Sequence, residues 1–130
     1  MAKPGLTLEV WLGEATDPDV TIDYGTSSLY DKEDLDAAIL QIKCKFAAFA
    51  GCELHAIRYA GDEFQNEKNV KWMNELDPGK DYVQVAKFTS DFHVAPGEAV
   101  VFEPDTDYMD YEWWLARTAD GGWQLLTFGY

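Results

Sequence analysis

The sequence predicts an α+β fold: a curved antiparallel sheet packed on one long and one short helix. Three observations carry this. Leu35, Ile39, Ile42, Phe46 and Phe49 recur at the spacing of one buried helical stripe. Residues 82–94 alternate as a long strand does. Residues 108–130 form two aromatic-rich runs around Ala119-Asp120-Gly121-Gly122, the pattern of a β-hairpin with a glycine-bearing turn.

Taken in order, residues 6–12 are apolar and β-prone and suit a first strand. Residues 13–19 are acidic, contain Asp17-Pro18 and read as a loop. Residues 21–24 suit a short extended segment, and 25–28 a turn. The long helix begins at Asp31, a good N-cap, with Asp34 placed as its capping-box partner and Tyr30 and Leu35 as a hydrophobic staple. Gly51 is a natural stop. Residues 53–60 alternate as a strand. Asn66 caps a short helix through Leu76, with Val70, Met73 and Leu76 on one side. Asp77-Pro78-Gly79-Lys80 is a turn. In the long strand, Tyr82, Gln84, Ala86, Phe88, Ser90 and Phe92 share one face. Val83, Val85, Lys87, Thr89, Asp91 and His93 share the other. Residues 98–103 form a short strand and 104–110 an acidic connection. The closing hairpin pairs 111–118 with 122–128. Both helices are expected on one face of the sheet, in a single domain spanning 1–130, with 1–20 as an extra strand and loop.

The chain of 130 residues carries 24 acids against 10 Lys and Arg, a net charge of −14. The excess sits at the ends: residues 1–31 hold six acids and one base, and 88–130 hold eight acids and only Arg117. Direct nucleic-acid binding is disfavoured, because phosphate contacts need Lys and Arg. Anionic membrane surfaces are disfavoured for the same reason, and no apolar run reaches the ~18 residues of a membrane span. A basic partner, a cation or simple solvation remains. Cys44 and Cys52 lack metal or redox spacing and read as two free, buried thiols. The first residues do not read as a signal peptide.

Several motifs are similar to those of uncharacterised domains from gut Firmicutes, often borne by exported lipoproteins. These are Ile22-Asp23-Tyr24-Gly25-Thr26-Ser27, the run from Gly51 to Asp62 (Gly-Cys-Glu-Leu-His-Ala-Ile-Arg-Tyr-Ala-Gly-Asp), Lys71-Trp72-Met73-Asn74, Asp91-Phe92-His93 and the terminal hairpin. They span residues 21–130. The order of elements resembles the NTF2-like superfamily of cystatin-like α+β cones. The resemblance implies a cone open between sheet and long helix, an extracytoplasmic setting and no established activity. Without it, the chain reads as cytoplasmic.

The cone would place a ligand against aromatic strands. Candidate liners are Tyr59, Phe88, Phe92, Trp113, Trp114 and Trp123, with Asp91 and His93 as polar neighbours; filling the core is the ordinary role of such aromatics. His55 and His93 each lie two residues from an acid, in Glu53-x-His55 and Asp91-x-His93, so each imidazole has a carboxylate on its own face. Asp105, Asp107 and Asp110 are the calcium candidates, although that loop lacks the glycine and terminal glutamate of a calcium signature. No catalytic residue and no cofactor is assigned.

The leading expectation is therefore a non-enzymatic binding domain for a small molecule or protein, in or near an aromatic-lined concave sheet. An acidic inhibitor or nucleic-acid mimic is the alternative. It requires Glu103, Asp105, Asp107, Asp110 and Glu112 to form a stripe of charge facing a basic protein. An isomerase-like enzyme is a further alternative, with Asp91 as base and Tyr59 or Tyr111 as donor. An uncovered aromatic sheet face would also suit a homodimer.

Overall fold

The computed structural model describes residues 20–96 and 102–130. They form an α+β fold with a five-stranded sheet and two helices. β1 (Thr21–Asp23) leads to α1 (Lys32–Phe46), β2 (Cys52–Tyr59), a 3-10 turn (Asp62–Phe64), α2 (Glu67–Leu76), β3 (Gln84–Val94), β4 (Thr106–Arg117) and β5 (Gln124–Gly129). The strands lie in chain order, with β1 and β5 at open edges. The expected antiparallel sheet is in fact mixed: β1 runs parallel to β2 because α1 carries the chain across between them. The remaining pairs are antiparallel. The strands expected at 6–12 and, for the most part, 98–103 lie outside the described residues. The acidic connection at 104–110 is shorter than expected, since β4 begins at Thr106.

Local sequence accounts for α1. The Asp31 carboxylate accepts the Asp34 N–H at 2.8 Å, and Asp34 accepts the Asp31 N–H at 3.1 Å, a reciprocal capping box. Tyr30 and Leu35 are both buried beside it. Leu35, Ala38, Ile39, Ile42 and Phe46 form the buried face. The helix stops at Phe46, well short of Gly51. The Ala48 and Phe49 amides donate to the Lys45 and Phe46 carbonyls at 3.0 and 2.8 Å, and these tight turns lay Phe49 over Trp113, with ring centroids 5.7 Å apart. Gly51, at φ +78°, then turns the chain into β2.

The helices lie on opposite faces of the sheet, not on one. Strand alternation explains this. Phe88 and Ala86 pair with Trp113 and Leu115 on the α1 side. Val85 pairs with Ala116 on the other side, where Met73, Val70 and Trp72 cover it together with Trp114. The two adjacent tryptophans of the hairpin therefore enter different cores. Tyr82 joins this second cluster and departs from its expected face, because it precedes β3 and is held by Asn74, which accepts its N–H at 2.7 Å. Leu76, expected to be covered, is 45% exposed at the end of α2. Both cysteines are free; Cys44 is exposed on the outer side of α1, against the expectation of burial, and Cys52 is half-buried.

Single-residue bulges in three strands bend the sheet. His55 is the extra residue in β2, where Leu54 pairs with Phe92 and Ala56 with Asp91. In β4 an extra residue lies between Tyr108, which faces Phe92, and Tyr111, which faces Ser90. In β5 it is Leu126. The first two flank β3 at the same height, around Asp91, and both increase local twist. Asp110, within the second, has φ +58°, a left-handed conformation uncommon for a residue with a side chain.

Candidate functional site

The aromatic candidates fill two cores. Phe88, Phe92 and Trp113 are at most 1% exposed, and Tyr59 and Trp123 are also buried, all within the cluster beneath α1. Trp114 is 8% exposed beneath α2, 4.9 Å edge-on from Trp72. Of the eight residues nominated from sequence, only Asp91 and His93 face the part of the sheet that neither helix covers.

That open face is charged, and its charges are paired across strands. Asp91 accepts from Arg58 of β2 through one oxygen and from the Asp110 amide of β4, at 3.0 Å, through the other. Arg58 also reaches Thr89 at 3.3 Å and Asp110 at 3.4 Å. Lys87 lies 3.4 Å from Glu112, with its ammonium 4.3 Å from the Phe64 ring centre and 5.3 Å from that of Trp114. His93 places Nδ1 2.7 Å from Asp107 and Nε2 3.4 Å from Asp105. The Asp107 hydrogen bond raises the His93 pKa against a smaller opposing effect of burial, and the charges of Asp107, Asp105 and Glu53 add to the rise. His55 lies 3.0 Å from Glu53, the carboxylate two residues before it. His93, by contrast, takes its carboxylates from across the sheet and not from Asp91, because Asp91 is already held by Arg58 and Asp110.

Several other expectations resolve geometrically. Asp105 and Asp107 converge on His93 while Asp110 turns to Arg58, so the three do not share one point. Among the described residues no group of His, Cys, Asp and Glu is arranged to hold a metal ion. Tyr59 and Tyr111 belong to the α1-side core and Asp91 to the opposite face, so the drafted base and donor are not brought together. An open groove of ≈ 510 Å³ lies beside the start of α2, lined in part by Val70, Lys71, Tyr82 and Val83, and it includes none of the nominated residues. No described helix is long and apolar enough to cross a membrane.

Sequence reasoning set Lys87 on the same strand face as Asp91 and His93 but nominated neither Lys87 nor Arg58 as a site residue. The signal was present in the alternation that set Lys87, Thr89, Asp91 and His93 side by side. It also missed Asp62. This carboxylate accepts from Ser27 Oγ at 2.6 Å, Tyr59 Oη at 2.7 Å and the Ser28 amide at 2.8 Å, tying the turn before α1 to the end of β2. Burial pushes its pKa up, but the hydrogen bonds from Ser27, Tyr59 and Ser28 outweigh burial and hold it at about 2. Burial, then the bond to Asp62, pushes the Tyr59 hydroxyl far above its ordinary value.

With this geometry in hand, comparison with known family models, curated proteins and solved structures returned no match.

Proposed function

We propose that this domain is a non-enzymatic binding module that engages a basic protein surface through the open face of β2, β3 and β4. One observation carries the reading. A group of charged side chains lies there, most of them held by cross-strand pairs, while the aromatic candidates are packed into cores. The face presents Glu53, Asp91, Asp105, Asp107, Asp110 and Glu112 against two permanent cations, Arg58 and Lys87. Its balance is negative, as is the chain's. Charges held in advance favour partner choice and encounter rate more than raw affinity. The mimic reading is weaker on the same geometry: Asp107, Asp110 and Glu112 follow one another along β4, but Asp110 and Glu112 meet Arg58 and Lys87 within the domain, and Asp107 meets the His93 ring. The order of elements and the bent sheet against a long helix support an NTF2-like cone as the architectural frame of this reading.

Charge reversal tests the proposal. The double variant Asp110→Lys, Glu112→Lys changes exposed or half-exposed side chains. Partner captured by the wild-type domain from its native lysate is purified and its affinity measured for both proteins at rising salt. Binding should weaken at least ~10-fold in the variant, and wild-type affinity should fall as salt rises. Equal affinity, with the variant's circular dichroism unchanged, would reject this face.

A further inference from the structure

The His93 cluster carries an inference that does not depend on the partner. We propose that His93 is a pH-operated clasp that fastens the segment 102–105 to the sheet when its ring is doubly protonated. Each ring nitrogen faces a carboxylate: Nδ1 at 2.7 Å from Asp107 and Nε2 at 3.4 Å from Asp105. A neutral imidazole has one N–H and one lone pair, so it satisfies one carboxylate and turns a lone pair on the other. The imidazolium donates to both.

The groups facing His93 come from every strand beside it. Glu53 is its direct cross-strand partner on β2, and Glu53 also contacts His55 at 3.0 Å. Asp107 is its partner on β4, and Asp105 precedes that strand. All three carboxylates favour the protonated ring. Its side chain is 31% exposed, so protons reach it.

What the clasp holds is unusual. Asp105 has φ +51°, a left-handed conformation. Its amide donates to Ala95 at 3.4 Å, at the outer limit of a hydrogen bond. A few residues earlier, Phe102 packs on the α1 side, 5.3 Å from Phe92 and 5.1 Å from Tyr108. The Tyr108 hydroxyl accepts the Glu103 N–H at 2.9 Å. The segment therefore crosses the end of the sheet, with an aromatic ring in the core on one side and carboxylates on His93 at the other. Loss of the second proton releases the Asp105 side chain and leaves Phe102, the Glu103–Tyr108 bond and the weak Asp105–Ala95 bond to hold the segment.

Hydrogen–deuterium exchange of the peptide covering 102–108 tests this, at pH values from 5.5 to 8.5 and corrected for intrinsic rate. Protection should be greatest at low pH and fall several-fold as pH rises through the His93 pKa, read from its ring resonances by NMR. That pKa should lie above 6.5 and drop in both Asp107→Asn and Asp105→Asn. In His93→Gln the pH dependence of protection should vanish, while His55→Gln should keep it. Should His93→Gln fold poorly, the two carboxamide variants carry the same test on exposed side chains. Protection independent of pH in the wild type would overturn the clasp, as would a His93 pKa at or below 6.5. So would a pH dependence that survives in Asp105→Asn and Asp107→Asn.

Discussion

Replacing Ser90 by alanine removes the acceptor of a fully buried side-chain hydrogen bond in the sheet. Ser90 and Trp113 are both 0% exposed, and the indole Nε1–H donates to Ser90 Oγ at 2.8 Å. Ser90 faces Ile57 and Tyr111 across the sheet, and the Trp113 ring lies against Phe49, Tyr111 and Phe128, so the Tyr111 hydroxyl is the one other side-chain oxygen among these neighbours. The variant leaves a desolvated donor without its partner, at a cost of about 1–3 kcal/mol. For a chain of this size each kcal/mol moves the melting midpoint by about 3–5 °C. The diagnostic step is the second background. Trp113→Phe removes the donor and leaves a partial cavity, costing about 1–2 kcal/mol by itself. In that background Ser90→Ala strands nothing and should cost less than about 0.5 kcal/mol. Urea denaturation of the four proteins, with fluorescence from the remaining tryptophans and far-UV circular dichroism, gives the coupling directly. Equal costs of Ser90→Ala in both backgrounds would show that the penalty arises from something other than the stranded indole.

Further expectations rest on single side chains. Asp62→Asn should destabilise at neutral pH. Asp62's folded pKa lies below that of the unfolded chain, so its stabilisation is present above about pH 4 and disappears as pH falls towards 2. The wild-type-minus-variant difference in urea midpoint should shrink across that window, and a constant difference would count against the assignment. Asn66→Ala removes the cap that accepts the Asn69 N–H at 2.8 Å and should cost about 1 kcal/mol, seen as a lower thermal midpoint. Arg117→Lys should cost about 1–2 kcal/mol, because the guanidinium bonds Gln84 at 2.6 Å and Asp34 at 3.0 Å while lying 4.5 Å from the Trp123 ring centre, a set that an ammonium cannot reproduce. An Arg117→Lys protein as stable as wild type would show that packing by the aliphatic stem suffices.

Features set by neighbours along the chain are legible in the sequence alone. The Asp31 capping box and the Asn66 cap depend on contacts three residues apart and stand where the spacing puts them, and Tyr30 and Leu35, set as a staple, are both buried. Strict alternation separates Trp113 from Trp114 correctly. What needs three dimensions is the side of the sheet each helix takes. An amphipathic stripe states that a helix needs cover but not which face supplies it, and here both faces are apolar where the helices sit. The cation partners on the open face are hidden for a related reason. Arg58 and Asp91 are 33 residues apart and meet only through the pairing of β2 with β3. The end of α1 escapes because Gly51 is the obvious stop, whereas the chain leaves the helix at Ala47 through tight turns that bring Phe49 onto Trp113.

The bulges have a consequence for how this sheet can vary. Leu54 and Ile57 both point into the α1-side core although two residues lie between them, and Tyr108 and Tyr111 do the same in β4. Deleting one residue between the members of either pair restores ordinary two-residue alternation and leaves every flanking side chain on its present face. Adding one residue to an unbulged stretch such as 84–90 of β3 would instead invert everything beyond it. One-codon losses at these two places are thus a route by which related chains can flatten or bend the sheet without exchanging its inside for its outside. Because both places face Asp91, such a loss would change the outline of the open face and leave the two cores intact.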